Sequence, residues 1–348
     1  MSESTANAPR MLWLDLFRGS AAACVIVYHL HRGLHLPALP FGYLSVDLFF
    51  VLSGMILGRR YSAAIIGGAS FGEFAWARLR RLYPMVLVTA ALVATLNVTG
   101  VAEGTYMTAS GSLLALLSLT FLMPLPPRFG GGPAFPATSP TWSLFSEFVT
   151  NAAWFCLLRI GGKRAASLAT AVAIAATCLI AVQHGNMDFG VRGSVKDVLS
   201  GVTRAMAGFG LGLWLANARF TRLPTPVALG LFTGMLCWAA TGSPSPLLRD
   251  ALIIATGSIM LVKIGQHEPA APALRSFCLW MGRASFPAYL IHVPAHRVAL
   301  VLAHQGVPEP LAFVAVLGGV IVVATLLNEW AVNALPGRLP FLRPQRQA

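Results

Sequence analysis

The sequence predicts an all-α polytopic membrane protein of about ten transmembrane helices plus one re-entrant or interfacial segment, with both termini cytoplasmic. Three observations carry that prediction. First, only 11% of the 348 residues are charged and 56% are hydrophobic, against about 25% charged in an average soluble chain. A soluble fold could not cover its surface with so few charges, and a disordered chain needs the opposite composition. Second, apolar runs long enough to cross about 30 Å of hydrocarbon recur along the whole chain. Third, the basic residues, 25 Lys+Arg against 12 Asp+Glu for a net charge of +13, fall mostly between those runs. That placement reads as membrane topology and argues against a nucleic-acid partner.

The runs lie at roughly 11–31, 42–58, 82–99, 141–158, 165–183, 198–216, 224–241, 249–265, 281–303 and 310–333. An eleventh, Gly111 to Met123, is shorter and ends in the Pro/Gly-rich stretch Pro124 to Pro140. If it spanned, Arg159-Ile-Gly-Gly-Lys163-Arg164 and the tail arginines would face outward. Read as re-entrant or interfacial, it leaves basic residues inside over outside at nearly three to one. The domain reading is a cytoplasmic tail 1–9, a transmembrane domain 10–335 and a cytoplasmic tail 336–348, without internal repeats. The first apolar run carries Asp15 and Arg18 and lacks a small-residue cleavage site, so no cleavable signal peptide is expected. Cys24, Cys156, Cys178, Cys237 and Cys278 have no metal-binding spacing and read as apolar side chains; no metal is expected.

Ionisable groups inside a bilayer cost several kcal/mol, so each asks for a partner or a role. Arg18 and His29 in the first run are eleven residues apart, which returns to within about 20° of one helix face and separates them by about 16 Å along it. Read structurally, Arg18 is a snorkelling residue paired with Asp15, and His29 is a satisfied histidine beside His31 and His35. Read functionally, they form one polar stripe. Asp47 sits at a similar depth in the second run and suits the partner of a catalytic imidazole or, alternatively, a helix-capping acid. Arg78 and Arg81, at i,i+3, share a face and make a phosphate fork, or an ordinary positive-inside flank. Glu147, two turns into its run, suits a proton acceptor or a structural partner for Arg128 or Arg32. Tyr289 and His292 share a face late in the chain, where packing is the blander role. Trp142 begins the Glu147 segment.

Taken together these blocks resemble the membrane acyltransferase-3 family of bacterial multispan O-acyltransferases, in the stand-alone form without an SGNH esterase-like domain. The resemblance rests on Leu14-Asp15-Leu-Phe-Arg18 through His29, Val46-Asp47-Leu-Phe-Phe-Val-Leu-Ser53-Gly54, Arg78-x-x-Arg81, Thr141-Trp-Ser-Leu-Phe-Ser-Glu147, and Ser285 through His292. The chain departs from the family pattern in carrying one acid, Glu147, after Trp-Ser-Leu, in Phe286, and in Glu329-Trp330 near its end.

The resemblance implies an acyl-CoA donor, acetyl-CoA first among the candidates, and a carbohydrate or glycolipid acceptor at the outer half of a bacterial inner membrane. It implies catalysis by His29 with Glu147 or Asp47, coenzyme binding by Arg18, Arg78 and Arg81, and acceptor binding by Trp142, Tyr289 and His292. General-base and acyl-histidine chemistry both fit. The rival class is a transporter or flippase for a small anionic or glycan solute, which the absence of an internal repeat argues against.

Overall fold

The computed structural model describes residues 11–34, 41–98, 109–125, 134–190, 194–218, 223–240 and 245–334. The predicted tails 1–9 and 336–348, together with His35, Arg128 and the side chains of His31 and Arg32, lie outside the described residues. Every regular element among them is helical: α1 (Leu12–Gly33), a 3-10 turn (Gly42–Leu44), α2 (Ser45–Ile66), α3 (Phe71–Val98), α4 (Ala109–Phe121), α5 (Thr141–His184), α6 (Val195–Leu215), α7 (Thr225–Ala240), α8 (Pro246–Ile264), α9 (Pro272–His304) and α10 (Glu309–Ala334).

Local chemistry sets several of these limits. Ser194 and Asp197 close a capping box at the start of α6. Ser245 caps α8 ahead of Pro246, where the missing N–H is harmless. α5 is two helices joined at Gly162, whose φ of 61° and ψ of −155° belong to a region only glycine occupies readily. The chain doubles back there. Trp142 and Trp154 lie against Gly201 and Phe209, so the first half runs parallel to α6. In the second half Thr170 lies against Gly210, and beyond its end Gly190 meets Gly201, so that half is antiparallel. The two runs read at 141–158 and 165–183 are therefore the arms of one tight hairpin.

Among the described residues, six segments are long and apolar enough to cross a membrane: Gly42–Ile66, Phe71–Val98, Thr141–His184, Val195–Leu215, Pro272–His304 and Glu309–Glu329. α7 is apolar but has 16 residues. α1 and α8 are diluted by polar residues that face inward, including Asp15, Asp250 and Lys263. α4, at 13 residues, rises about 20 Å and is too short to span alone; it packs on α3 through Ala115 and Leu119 beside Met85 and Val93.

The surface has the polarity of a membrane protein. Leu168, Val172, Leu179, Val314, Val322 and Leu326 point outward, whereas Asp47, Arg204, Asp250 and His292 are buried. In water such an apolar exterior would be an aggregation surface; in lipid it is the solvated face.

Two parallel helix pairs set the interior. α1 and α9 run side by side, with Asp15 against Gly282, Arg18 against Ser285 and His29 against His292. α2 and α6 run together through Asp47 and Arg204, Gly54 with Phe209 and Gly212, and Gly58 with Ala216. A Cβ at Gly54 or Gly212 would overlap the facing backbone carbonyl, so small residues let the two backbones meet. α3 starts at Phe71, some ten residues before the apolar run that marks it, and continues through Pro84. Arg78 and Arg81 are thus inside a helix. Proline is tolerated there because neighbouring groups in a bundle can re-satisfy the freed carbonyl.

Candidate active site

The polar interior is built upward along α1. Arg18 Nη2 donates to Asp15 Oδ1 at 3.1 Å, one helical turn away, and to the Gly282 carbonyl; its Nε donates to Ser285 Oγ at 3.0 Å. Ser285 in turn donates to the Gly282 carbonyl at 2.9 Å. The lack of a side chain at Gly282 admits Asp15 against α9. The guanidinium is therefore aimed across the α1–α9 seam by three protein groups and keeps a side-chain exposure of 20%.

About three turns further along the same face, His29 lines a cavity of about 170 Å³, whose wall also includes Tyr28, Tyr43, Trp142, Asp188, Arg204 and Tyr289. Behind it lies His292, its ring centroid 5.0 Å from that of His29. His292 is fully buried. Its Nδ1 lies 2.6 Å from the Tyr289 carbonyl, while its Nε2 has no hydrogen-bond partner among the described residues. The Tyr289 hydroxyl meets Ser143 Oγ at 2.7 Å, and Ser143 donates to the Pro140 carbonyl at 2.9 Å. That chain ties α9 to the first turn of α5.

The opposite wall is an ion pair. Arg204 donates through Nε to Asp47 Oδ1 at 2.7 Å and through Nη2 to Asp47 Oδ2 at 2.6 Å, a two-pronged fork with both side chains almost wholly buried. Its Nη1 donates to the Phe189 carbonyl at 3.0 Å. The guanidinium lies 5.5 Å from the Trp142 ring centre and 5.6 Å from that of Phe189, a geometry of cation–π attraction. A second network pins the cavity rim: Tyr28 donates to Asp188 at 3.1 Å, and Asp250 accepts from Tyr43 at 2.5 Å, from Met187 N at 2.9 Å and from Arg249 at 2.8 Å.

At some distance from the cavity, Arg60 and Arg78 both approach the ring of Tyr61 at 5.7 Å. Arg78 lies within electrostatic reach of Arg81, Arg60 and Glu147, and its Nε is buried without a hydrogen-bond partner among the described residues. Arg81 is exposed. Glu147 accepts from Ser53 Oγ at 2.7 Å. No group of three or more His, Cys, Asp or Glu among the described residues is placed to hold a metal ion.

The structure thus gathers His29, Trp142 and Tyr289 around one cavity, with His292 behind His29. It does not put Asp47 or Glu147 in hydrogen-bond contact with His29. Depth along a helix made the three look level, but azimuth separates them: Asp47 faces α6 and both its oxygens are engaged by Arg204, and Glu147 faces Ser53 of α2. Sequence reasoning missed four polar groups of the cavity wall, Tyr28, Tyr43, Asp188 and Arg204. Arg204 carried a usable signal, because an arginine in mid-span demands a carboxylate and Asp47 was the unpaired one available. Asp188 sits in a short loop with nothing local to distinguish it.

An all-helical bundle with a lipid-type exterior, buried charge pairs and two histidines beside an interior cavity defines a multi-pass membrane protein. The chain belongs to the acyltransferase-3 family: the family model described as "Acyltransferase domain" matches residues 11–329. It is similar to Protein 2 in the picA locus of Rhizobium radiobacter, at 36% identity over 157 residues, which cover 42% of this chain and 81% of that protein. No solved structure matches.

Proposed function

We propose that the protein is an O-acyltransferase that takes an acyl group, acetyl first among the candidates, from cytoplasmic acyl-CoA. It passes that group to a hydroxyl of a sugar or glycolipid at the outer half of a bacterial inner membrane, both chain termini being cytoplasmic. The observation that carries the reading is the position of His29. It opens onto the cavity on the same face of α1 that holds Arg18 toward the other end of the bundle.

The basic end supports the choice of donor. Arg60, Arg78 and Arg81 form a cluster suited to the phosphates of a coenzyme A thioester. Arg18, aimed by Asp15 and Ser285, meets the donor deeper in the bundle, and the thioester arm lies along the α1 stripe. Trp142 and Tyr28 offer ring faces, and Asp188 an acceptor oxygen, to a hydroxylated ring in the cavity. His29 takes the proton of the acceptor hydroxyl as its oxygen attacks the thioester carbonyl. The C–O bond forms and the C–S bond breaks. The proton then passes from His29 to the departing thiolate, giving ester and free coenzyme.

The test is reconstitution of the purified protein in vesicles with acyl-labelled acetyl-CoA and an envelope glycolipid fraction. Label is expected to move covalently to the acceptor fraction in a protein-dependent way. Movement of solute across the vesicle in the absence of any acyl donor, with no label transferred, would establish the transporter reading instead. A reporter fused near Lys163 is expected on the cytoplasmic side.

A further inference from the structure

We infer that His292 is the positioning partner of His29, the role that a carboxylate fills in a serine-type triad, and that the two imidazoles work as a dyad. The inference rests on the acyl-transfer reading above.

The geometry assigns the role by tautomer and by proximity. A backbone carbonyl only accepts, so the 2.6 Å contact from His292 Nδ1 to the Tyr289 oxygen requires the proton to sit on Nδ1. In a neutral ring that leaves Nε2 as a bare lone pair. Nε2 is buried and meets no hydrogen-bond donor among the described residues. A buried acceptor of this kind is unfavourable unless a donor fills it. The ring beside it is His29, with centroids 5.0 Å apart, a separation at which one nitrogen of each ring can meet at hydrogen-bond distance.

An N–H of His29 turned toward His292 Nε2 fixes the tautomer of His29 and puts the deprotonated nitrogen on the cavity side, as a general base requires. When His29 takes the acceptor's proton, its N–H to His292 becomes charge-assisted and strengthens, in the transition state more than in the ground state. The two acids first read as partners of His29 are turned to other groups, Asp47 to Arg204 and Glu147 to Ser53. The Tyr289–Ser143 contact holds the same turn of α9 in register, so the carbonyl that sets the tautomer is itself fixed.

The experiment compares wild type, His292→Leu and His292→Gln in the vesicle assay, with the donor KM, kcat and thermal unfolding of each recorded. Gln is chosen because its carbonyl oxygen reaches the position of Nε2 and accepts but cannot titrate. Wild-type turnover tests the acyl-transfer reading, and the variant series tests the dyad. His292→Leu is expected to lower kcat about 10²-fold or more with the donor KM within twofold, and His292→Gln to recover at least tenfold of that loss. In a His29→Ala background, His292→Leu is expected to add no further loss, as for residues acting as a unit. A His292→Leu enzyme with kcat within twofold of wild type overturns the inference. So does a Gln variant that folds and is no faster than Leu, or independent, additive losses in the double variant. If His292→Leu does not fold, the comparison of His292→Gln with and without His29→Ala decides by the same additivity criterion.

Discussion

Breaking the Arg204–Asp47 fork from either side should give unequal losses, and removing both partners should give the smallest loss. Both side chains are about 2–3% exposed, and the fork has two hydrogen bonds of 2.7 and 2.6 Å. Deleting one partner of a buried pair typically costs about 3–5 kcal/mol, whereas replacing both by apolar groups is often close to neutral. Asp47→Leu strands a guanidinium that cannot shed its proton and retains, among the described residues, two hydrogen bonds, to the Phe189 carbonyl at 3.0 Å and the Tyr43 carbonyl at 3.4 Å, beside the Trp142 and Phe189 rings. Arg204→Met strands a carboxylate that can take up a proton and become neutral, though it also removes the two ring contacts. Asp47→Leu should therefore cost about 5 kcal/mol and Arg204→Met about 3 kcal/mol, with the double variant losing about 1 kcal/mol or less. The assay is reversible unfolding in mixed micelles at pH 8 and pH 5, followed by far-UV ellipticity. The Arg204→Met loss should shrink at the lower pH, where protonation of Asp47 is easier, and the Asp47→Leu loss should not. Additive losses in the double variant, or a double variant worse than either single, would refute the reasoning, because the pair would then be worth no more than its separate packing.

Other outcomes follow from single features. His29→Ala should lose about 10²–10⁴-fold in turnover with an unchanged unfolding midpoint, checked by label transfer at matched protein level. Gly162→Ala should destabilise by about 1–3 kcal/mol, because φ 61° with ψ −155° is strained for any side chain; the readout is unfolding in micelles, and no change would mean the reversal adopts another geometry. Gly54→Val should separate α2 from α6 and cost about 1–3 kcal/mol through overlap with the Phe209 carbonyl. Arg78→Ala should raise the donor KM tenfold or more while leaving the acceptor KM unchanged, in initial-rate kinetics across both substrates.

How much of this was legible depended on the length scale. Composition and run length located the helices because lipid imposes a coarse constraint that averages over some twenty residues. The turn at Gly162 fell in the gap between two runs, as the pattern required. The start of α3 was placed late because Phe71 to Tyr83 alternates aromatic and basic residues, a composition that hydropathy reads as loop and that a helix at the bilayer edge accommodates readily. The α1 stripe was legible because helical periodicity relates Arg18 and His29 within one element. Partnership between elements was not. Asp47 and His29 share a depth, but which way each faces is set by the packing of α2 on α6 through Gly54 and Gly212, and those contacts join residues over a hundred and fifty positions apart. His292 looked like a packing histidine because nothing in its own helix shows that another imidazole will stand beside it.

The parallel seating of α1 against α9 has a consequence for the life of the chain. Arg18 and Ser285 are separated by 267 positions, so α1 waits for almost the last helix before its histidine meets His292 and its arginine meets Gly282 and Ser285. A nascent or truncated chain that lacks the ninth helix holds Arg18 and His29 without a finished chamber. On the acyl-transfer proposal, a half-made protein would then be unable to squander thioester on water.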